Sequence, residues 1–184
     1  MKKAVSLLLA LLAVLTLASC GAGGSDDTVD IVIPASLVTE DASDKLTAEQ
    51  KQHGIIKAVA QDDGSVTYTF KRSAYETYIA ELKQTTANGL DQIIHDEDVT
   101  SIKTVSYNDD FSALTFTVDR AAFENSTDGL TCYGAYLAVS VYKAYAQLDD
   151  TCTITIVDET TGETLGSVTY PDAMNAAAEK EEQE

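Results

Sequence analysis

The chain has no tryptophan, two prolines, two histidines and three cysteines in 184 residues. Each scarcity narrows the chemistry. Without indole rings, an aromatic platform for stacking on sugars is disfavoured. Two histidines leave little for imidazole acid–base work or metal ligation. Basic residues are scarce as well: 12 Lys and Arg stand against 30 Asp and Glu, a formal charge of −18. A surface of that sign repels phosphate backbones and anionic headgroups, which argues against nucleic-acid binding. It suits basic partners, cationic ligands or metal ions, and it also keeps an exported protein soluble. No nucleophile elbow, phosphate loop, HExxH or dinucleotide fingerprint occurs.

Long apolar runs are absent except at the start. Met1-Lys2-Lys3 is basic, Ala4 to Leu17 is almost unbroken apolar sequence, and Leu17-Ala18-Ser19-Cys20 closes it. A basic n-region, a short apolar h-region and small residues at the cut describe a secretory signal. The run is shorter than the roughly 20 residues a spanning helix needs, so it reads as a leader and not a permanent anchor.

The ending at Cys20 resembles the lipobox of bacterial lipoproteins, in which the cysteine is acylated on sulfur and becomes the first mature residue. The alternative is an ordinary signal peptide with a chance cysteine at the cut. The resemblance covers residues 1–20 only, and no family is named for the mature region. It implies lipid attachment at Cys20, with the protein held on the extracytoplasmic face of the cell membrane. Cleavage there leaves 165 residues and, with Lys2 and Lys3 gone, a formal charge of −20. That length suits one domain with a real core. The expected division is signal peptide 1–19, flexible tether 20–28, one α+β domain 29–171 and an acidic tail 172–184. Gly21, not Asp, follows the cysteine, so no inner-membrane retention signal is present.

Cys132 and Cys152 remain. In an oxidising compartment an even pair is expected to bond. Chain geometry says otherwise. An unbroken helix to Leu148 carries the chain about 24 Å from Cys132. Four extended residues return at most about 14 Å. The Cα atoms then stay about 10 Å or more apart, where a disulfide needs about 7 Å or less. Two separate buried thiols are expected. As a nucleophile Cys132 would need an activating base, and none stands beside it in sequence.

Within the mature region the hydrophobic period switches repeatedly. Val29 to Pro34 reads as an edge strand ended by proline. Thr47 and Gln50 fit a capping box, with Gly54 as the C-terminal cap. Ile56 to Ala60 is strand-like, and Val66, Tyr68 and Phe70 alternate with Thr67 and Thr69. Tyr75 to Ile94 then recur at helical spacing, although Thr85, Thr86, Asn88 and Gly89 predict a bend or break near Gly89. The order repeats: strands over Ser101 to Tyr107 and Ala113 to Asp119, then a helix interrupted at Asn125 to Gly129 and resumed over Leu130 to Leu148. Val66 to Glu76 aligns with Leu114 to Glu124, and Ile56-Lys57 with Ile102-Lys103, two turn residues absorbing the offset. Leu130 to Leu148 is apolar nearly all round, which predicts the most buried helix. A hairpin over Thr151 to Tyr170 follows.

These elements predict an α+β two-layer sandwich: a mostly antiparallel sheet of about six strands, two main helices on one face, built from a duplicated hairpin–helix unit plus a final hairpin. Val66, Tyr68 and Phe70 are expected in the same core as Leu114, Phe116 and Val118.

Candidate chemistry is thin. His53 stands near a helix end, where a cation offsets the dipole. His95 with Asp96 and Asp98 could bind a metal, but the spacing matches no metal signature. Asp62-Asp63, Asp109-Asp110, Asp149-Asp150 and Asp158-Glu159 all fall at turns, without the grammar of a calcium loop. On a helical wheel Tyr133 and Tyr136 oppose Tyr142 and Tyr145, which fits a buried helix better than one aromatic platform. No catalytic, cofactor-binding or metal residue is assigned. The reading is a lipid-anchored extracytoplasmic protein with a non-catalytic binding domain, for a basic or envelope-protein partner. The alternative is an envelope-associated hydrolase using acidic residues.

Overall fold

A computed structural model describes residues 27–38 and 46–173. The leader, Cys20, most of the expected tether and nearly all of the acidic tail lie outside the described residues.

The described chain is α+β, with seven strands in two sheets. β1 (Thr28–Ile33), β2 (Ile55–Ala60) and β3 (Val66–Lys71) form an antiparallel sheet in the order β1-β3-β2. β4 (Ile102–Tyr107), β5 (Ala113–Val118), β6 (Cys152–Asp158) and β7 (Thr164–Tyr170) form the second sheet in chain order. Its pairs are antiparallel except β5 with β6, which is parallel. The helices are α1 (Ala48–Gln52), α2 (Arg72–Gln92), α3 (Arg120–Glu124) and α4 (Asp128–Tyr145).

Two sheets replace the single sheet of about six strands expected from the sequence. The cause lies beside β3. β1 already occupies the edge of β3 away from β2, so the chain leaving α2 cannot return there, and β4 opens a new sheet. Beside β5 the corresponding edge is open. α3 and α4 supply the crossover that a parallel pair requires, and β6 lands there. β1 thus takes the place beside β3 that β6 takes beside β5, but β1 runs antiparallel to its neighbour and β6 parallel.

The split divides the core. Val66, Tyr68 and Phe70 pack with Ile31, Ile33, Ile55 and Ala58. Leu114, Phe116 and Val118 pack with Val139, Tyr142, Cys152 and Ile154. The alternation read on each strand holds, because all six of those residues are buried. The expectation of one shared core does not hold. The two long helices join the cores: α2 gives Tyr75 and Tyr78 to the first and Leu82 and Leu90 to the second, and α4 gives Tyr145 to the first and Val139 to the second.

The two hairpins agree in detail. Each carries a bulge near the start of its first strand, where Ile55 pairs with Phe70 and Ile102 with Val118. Gly54 O accepts the Lys71 N–H and Ser101 O accepts the Asp119 N–H. Ile55, not Ile56, is therefore the counterpart of Ile102, and the sequence alignment was one residue out of step on that strand. The turns match as well. Asp63 Oδ1 accepts the N–H and Oγ–H of Ser65, and Asp110 Oδ1 accepts the same pair from Ser112. One residue, Ala113, absorbs the offset, not two.

The helices differ from expectation in two places. α2 runs through Gly89 without a break, because Thr86 and Leu90 are buried on either side of it and packing outweighs weak propensity. α4 ends at Tyr145, three residues before Leu148. There Gln147 turns left-handed at φ 53° and the Leu148 N–H returns to Lys143 O, a Schellman closure. The interruption after α3 is present, and the capping box forms both of its bonds between Thr47 and Gln50. Gly54 takes φ 82°, where a Cβ would collide with Ala74 Cβ, so glycine is required.

Candidate functional site

α4 positions the surface that interrupts the acidic exterior. Its inward side buries Cys132, Ala135, Tyr136, Val139 and Tyr142. Its two ionisable charges are buried too, Asp128 at 5% exposure and Lys143 at 2%. Asp128 Oδ2 accepts the Ser101 N–H at 2.9 Å and the Ser101 Oγ–H. Those bonds, with the backbone at Thr100 and the Ser126 hydroxyl, hold its carboxyl below the usual carboxylate range against the opposing effect of burial. Lys143 Nζ donates to Thr151 O at 2.6 Å, tying the helix to the entry of β6. With both charges spent inward, none is left for the solvent side.

That side is apolar. Leu130 is 72% exposed, Leu137 41%, Val141 38%, and Leu148, just past the helix end, 42%. Exposed Gly134 and Ala138 lie between them. At about 100° per residue, Leu130, Leu137 and Val141 fall within about 20° of one line along the helix. The sequence pattern predicts the most buried helix, and α4 does bury more of its residues than α2 or α3. The structure buries one side and leaves the other to water.

The stripe borders a cleft of about 390 Å³ between β1 with its following turn and the C-terminal half of α4. Val32, Leu37, Ala144 and Leu148 give it apolar walls, and Asp149 and Asp150 stand at its rim. Gln147 closes one end. Its Nε2 donates to Val32 O at 3.2 Å and its Oε1 accepts the Val32 N–H at 3.4 Å, so one side-chain amide pairs with the edge of β1.

Asp149 is not poised for proton transfer. Asp149 Oδ1 accepts the Thr151 N–H at 2.9 Å, and hydrogen bonds from Thr151 hold its carboxyl low, in the ionised form. Asp63, Asp110 and Asp158 are lowered in the same way by their turn partners. A general acid needs the opposite shift.

The other residues singled out in the sequence scatter. His53 packs against Tyr78 with ring centroids 4.8 Å apart and the ring planes tilted by 50°. His95 ends the short 3₁₀ turn after α2, and Asp96 Oδ1 accepts the Asp98 N–H. Among the described residues no three His, Cys, Asp or Glu side chains gather as a metal site. The tyrosines divide three ways. Tyr133 and Tyr136 meet Tyr170, Tyr142 meets Phe111, and Tyr145 meets Tyr68 and Tyr78. Cys132 and Cys152 are unpaired and buried. Burial, with Asp128 nearby, pushes the Cys132 thiol up to about 12, the reverse of an activated nucleophile. Cys20 lies outside the described residues.

Sequence reasoning missed the outward stripe and the inward charges. The signal for the stripe was the seven–four–seven spacing from Leu130 to Leu148. For Lys143 it was the position one turn past Val139, on the buried face.

The chain matches no protein-family model, no curated protein and no solved structure. Among the described residues no helix is long and apolar enough to cross a membrane.

Proposed function

We propose that this chain is a lipid-anchored docking protein of the cell envelope, tethered through Cys20 on the extracytoplasmic face of the membrane and acting without catalysis. It is a lipoprotein whose mature region arose by duplication of a hairpin–helix unit. The matching bulges and Asp–x–Ser turns support that origin. The observation that carries the docking reading is the uncharged, apolar outer face of α4 on a chain of formal charge −18. On an exported chain this acidic, a row of exposed apolar side chains along one charge-free helix face presents that face to a partner. The acidic remainder steers toward basic envelope proteins and away from nucleic acid. The hydrolase alternative needs a carboxyl held protonated, and the shifted aspartates all move the other way.

Two measurements test the proposal. Fractionation of cells expressing the chain and Cys20→Ala tests the tether: the variant is expected to leave the membrane fraction or to remain unprocessed. Membrane partitioning of a processed Cys20→Ala chain, unchanged, refutes the anchor. Retrieval from envelope extract with the full chain and with Val141→Asp tests the docking face. A species retained by the first and lost by the second supports the reading, and equal retention by both refutes it.

A further inference from the structure

We propose that the cleft between β1 and the C-terminal half of α4 binds an organic cation: an ammonium or guanidinium group carried on a short apolar stem. A lysine or arginine side chain of a polypeptide shares that chemistry with a free alkylamine. The site goes beyond the docking reading and does not depend on it, because Leu130, Leu137 and Val141 do not line the cleft.

The cleft is of ligand size and is held in shape without a ligand. Its volume of about 390 Å³ lies in the range of small-ligand sites. Gln147 bonds both the N–H and the carbonyl oxygen of Val32 across one end. The left-handed turn at Gln147 returns the Leu148 N–H to Lys143 O at 2.9 Å. A site built before its ligand arrives avoids the cost of ordering it on binding.

One buried residue in the wall keeps an unused polar group. Tyr136 is 6% exposed and lines the cleft. Its ring packs on Tyr133 and Tyr170, but its hydroxyl bonds to no described residue. Among the described residues no sealed-off side-chain polar atom lacks a partner, so the Tyr136 hydroxyl is open to solvent. Ser140, one turn on in the same wall, is already committed, donating to Tyr136 O at 3.0 Å. The free phenol oxygen offers an acceptor to an N–H of a ligand.

Charge selects the ligand. Asp149 and Asp150 both line the cleft, and no described lysine, arginine or histidine lines it to neutralise them. Asp149 is oriented by the Thr151 N–H at 2.9 Å, and one such bond leaves a carboxylate with further lone pairs. Asp150 is exposed and makes no hydrogen bond or ion pair among the described residues. The apolar walls from Val32, Leu37, Ala144 and Leu148 suit the stem, and the two carboxylates suit its charged end. An anion is repelled here, and a neutral ligand leaves both acids without a partner.

Calorimetric titration of the full chain in mild detergent tests this, at about 150 mM salt to screen diffuse attraction. Pentylammonium chloride is the probe, with detergent alone as the blank. It is expected to bind saturably. Pentanol lacks the charge and methylammonium lacks the stem, and each is expected to bind at least about tenfold more weakly. Asp150→Asn keeps the shape and removes one charge, and Tyr136→Phe removes only the hydroxyl. Each is expected to weaken pentylammonium by about threefold or more. Glu159→Gln removes an equal charge from the exposed turn at the far end of β6 and is expected to leave binding unchanged. Unchanged thermal midpoints confirm that the variants fold. Nα-acetyl-lysine methylamide separates the two sources of the cation. Binding as tight as that of pentylammonium, or tighter, assigns the site to a basic polypeptide, and weaker binding assigns it to a free amine. No saturable binding of either amine, equal binding of pentylammonium and pentanol, or equal effects of Asp150→Asn and Glu159→Gln overturns the proposal.

Discussion

Gly64 and Phe111 occupy the same backbone position in the two hairpin turns, both left-handed, at φ 84° and 54°. Each follows an aspartate and precedes a serine that the aspartate holds. Glycine adopts that conformation freely, whereas a bulky residue does so at a cost of about 1–3 kcal/mol. Phe111 bears the cost because its ring is 1% exposed and packs against Tyr107 and Tyr142. One turn is closed by conformational freedom, the other by core packing.

From this relationship the order of two substitutions follows. Phe111→Ala is expected to lose about 3–5 kcal/mol, since it forfeits the ring and keeps the strained φ. Phe111→Gly forfeits the same ring but relieves the strain, and is expected to be about 1 kcal/mol more stable than Phe111→Ala. Denaturant unfolding of both variants checks the order. A glycine variant less stable than the alanine variant would falsify the account.

The divided core predicts additivity. Phe70 and Phe116 are fully buried but belong to different clusters. Each Phe→Ala change is expected to cost about 3–5 kcal/mol. The double variant is expected to equal their sum within about 0.5 kcal/mol, as distant sites without shared partners do. Coupling well above that value would mean that the two clusters behave as one.

Acid sensitivity should trace in part to Asp128. Its folded-state carboxyl is held below the usual carboxylate range, chiefly by the Ser101 hydroxyl. The unfolded chain therefore binds the proton more readily, and stability rises with pH across this window. The contribution is complete above about pH 5 and fades as pH falls through and below the unfolded value of about 3.9. Asp128→Asn is expected to cost about 1.5–3 kcal/mol at neutral pH and to flatten the acid limb. Unfolding midpoints measured from pH 3 to 7 decide it, and parallel profiles for the two chains would remove Asp128 as a cause.

The thiols of Cys132 and Cys152 should resist reagents in the native state. Both are buried, and burial raises both above their ordinary value. An uncharged thiol shielded from solvent reacts slowly. Labelling of the native, non-reduced chain is expected to leave both unmodified, and denaturation is expected to release both. A single intramolecular crosslink instead would mean that α4 is broken between Cys132 and its C-terminus.

Periodicity by itself determined the inner faces of β3 and β5, the helical character of α2 and α4, the capping box at Thr47 and the unpaired state of Cys132 and Cys152. These depend on neighbours within a few residues, or on how far a helix carries the chain. The turns at Asp63 and Asp110 were legible for the same reason, since a short carboxylate bonds the backbone two residues on. The tertiary structure alone decided which strands share a sheet. β1 lies beside β3 and β6 beside β5 because of which edge was already filled, and no local pattern encodes that. It also decided what an apolar helix means. Leu137 and Val139 read alike in the sequence, yet one is 41% exposed and the other fully buried. A hydrophobic residue records that its burial is favourable, and only the packing of the strands around α4 determines which side of the helix obtains it.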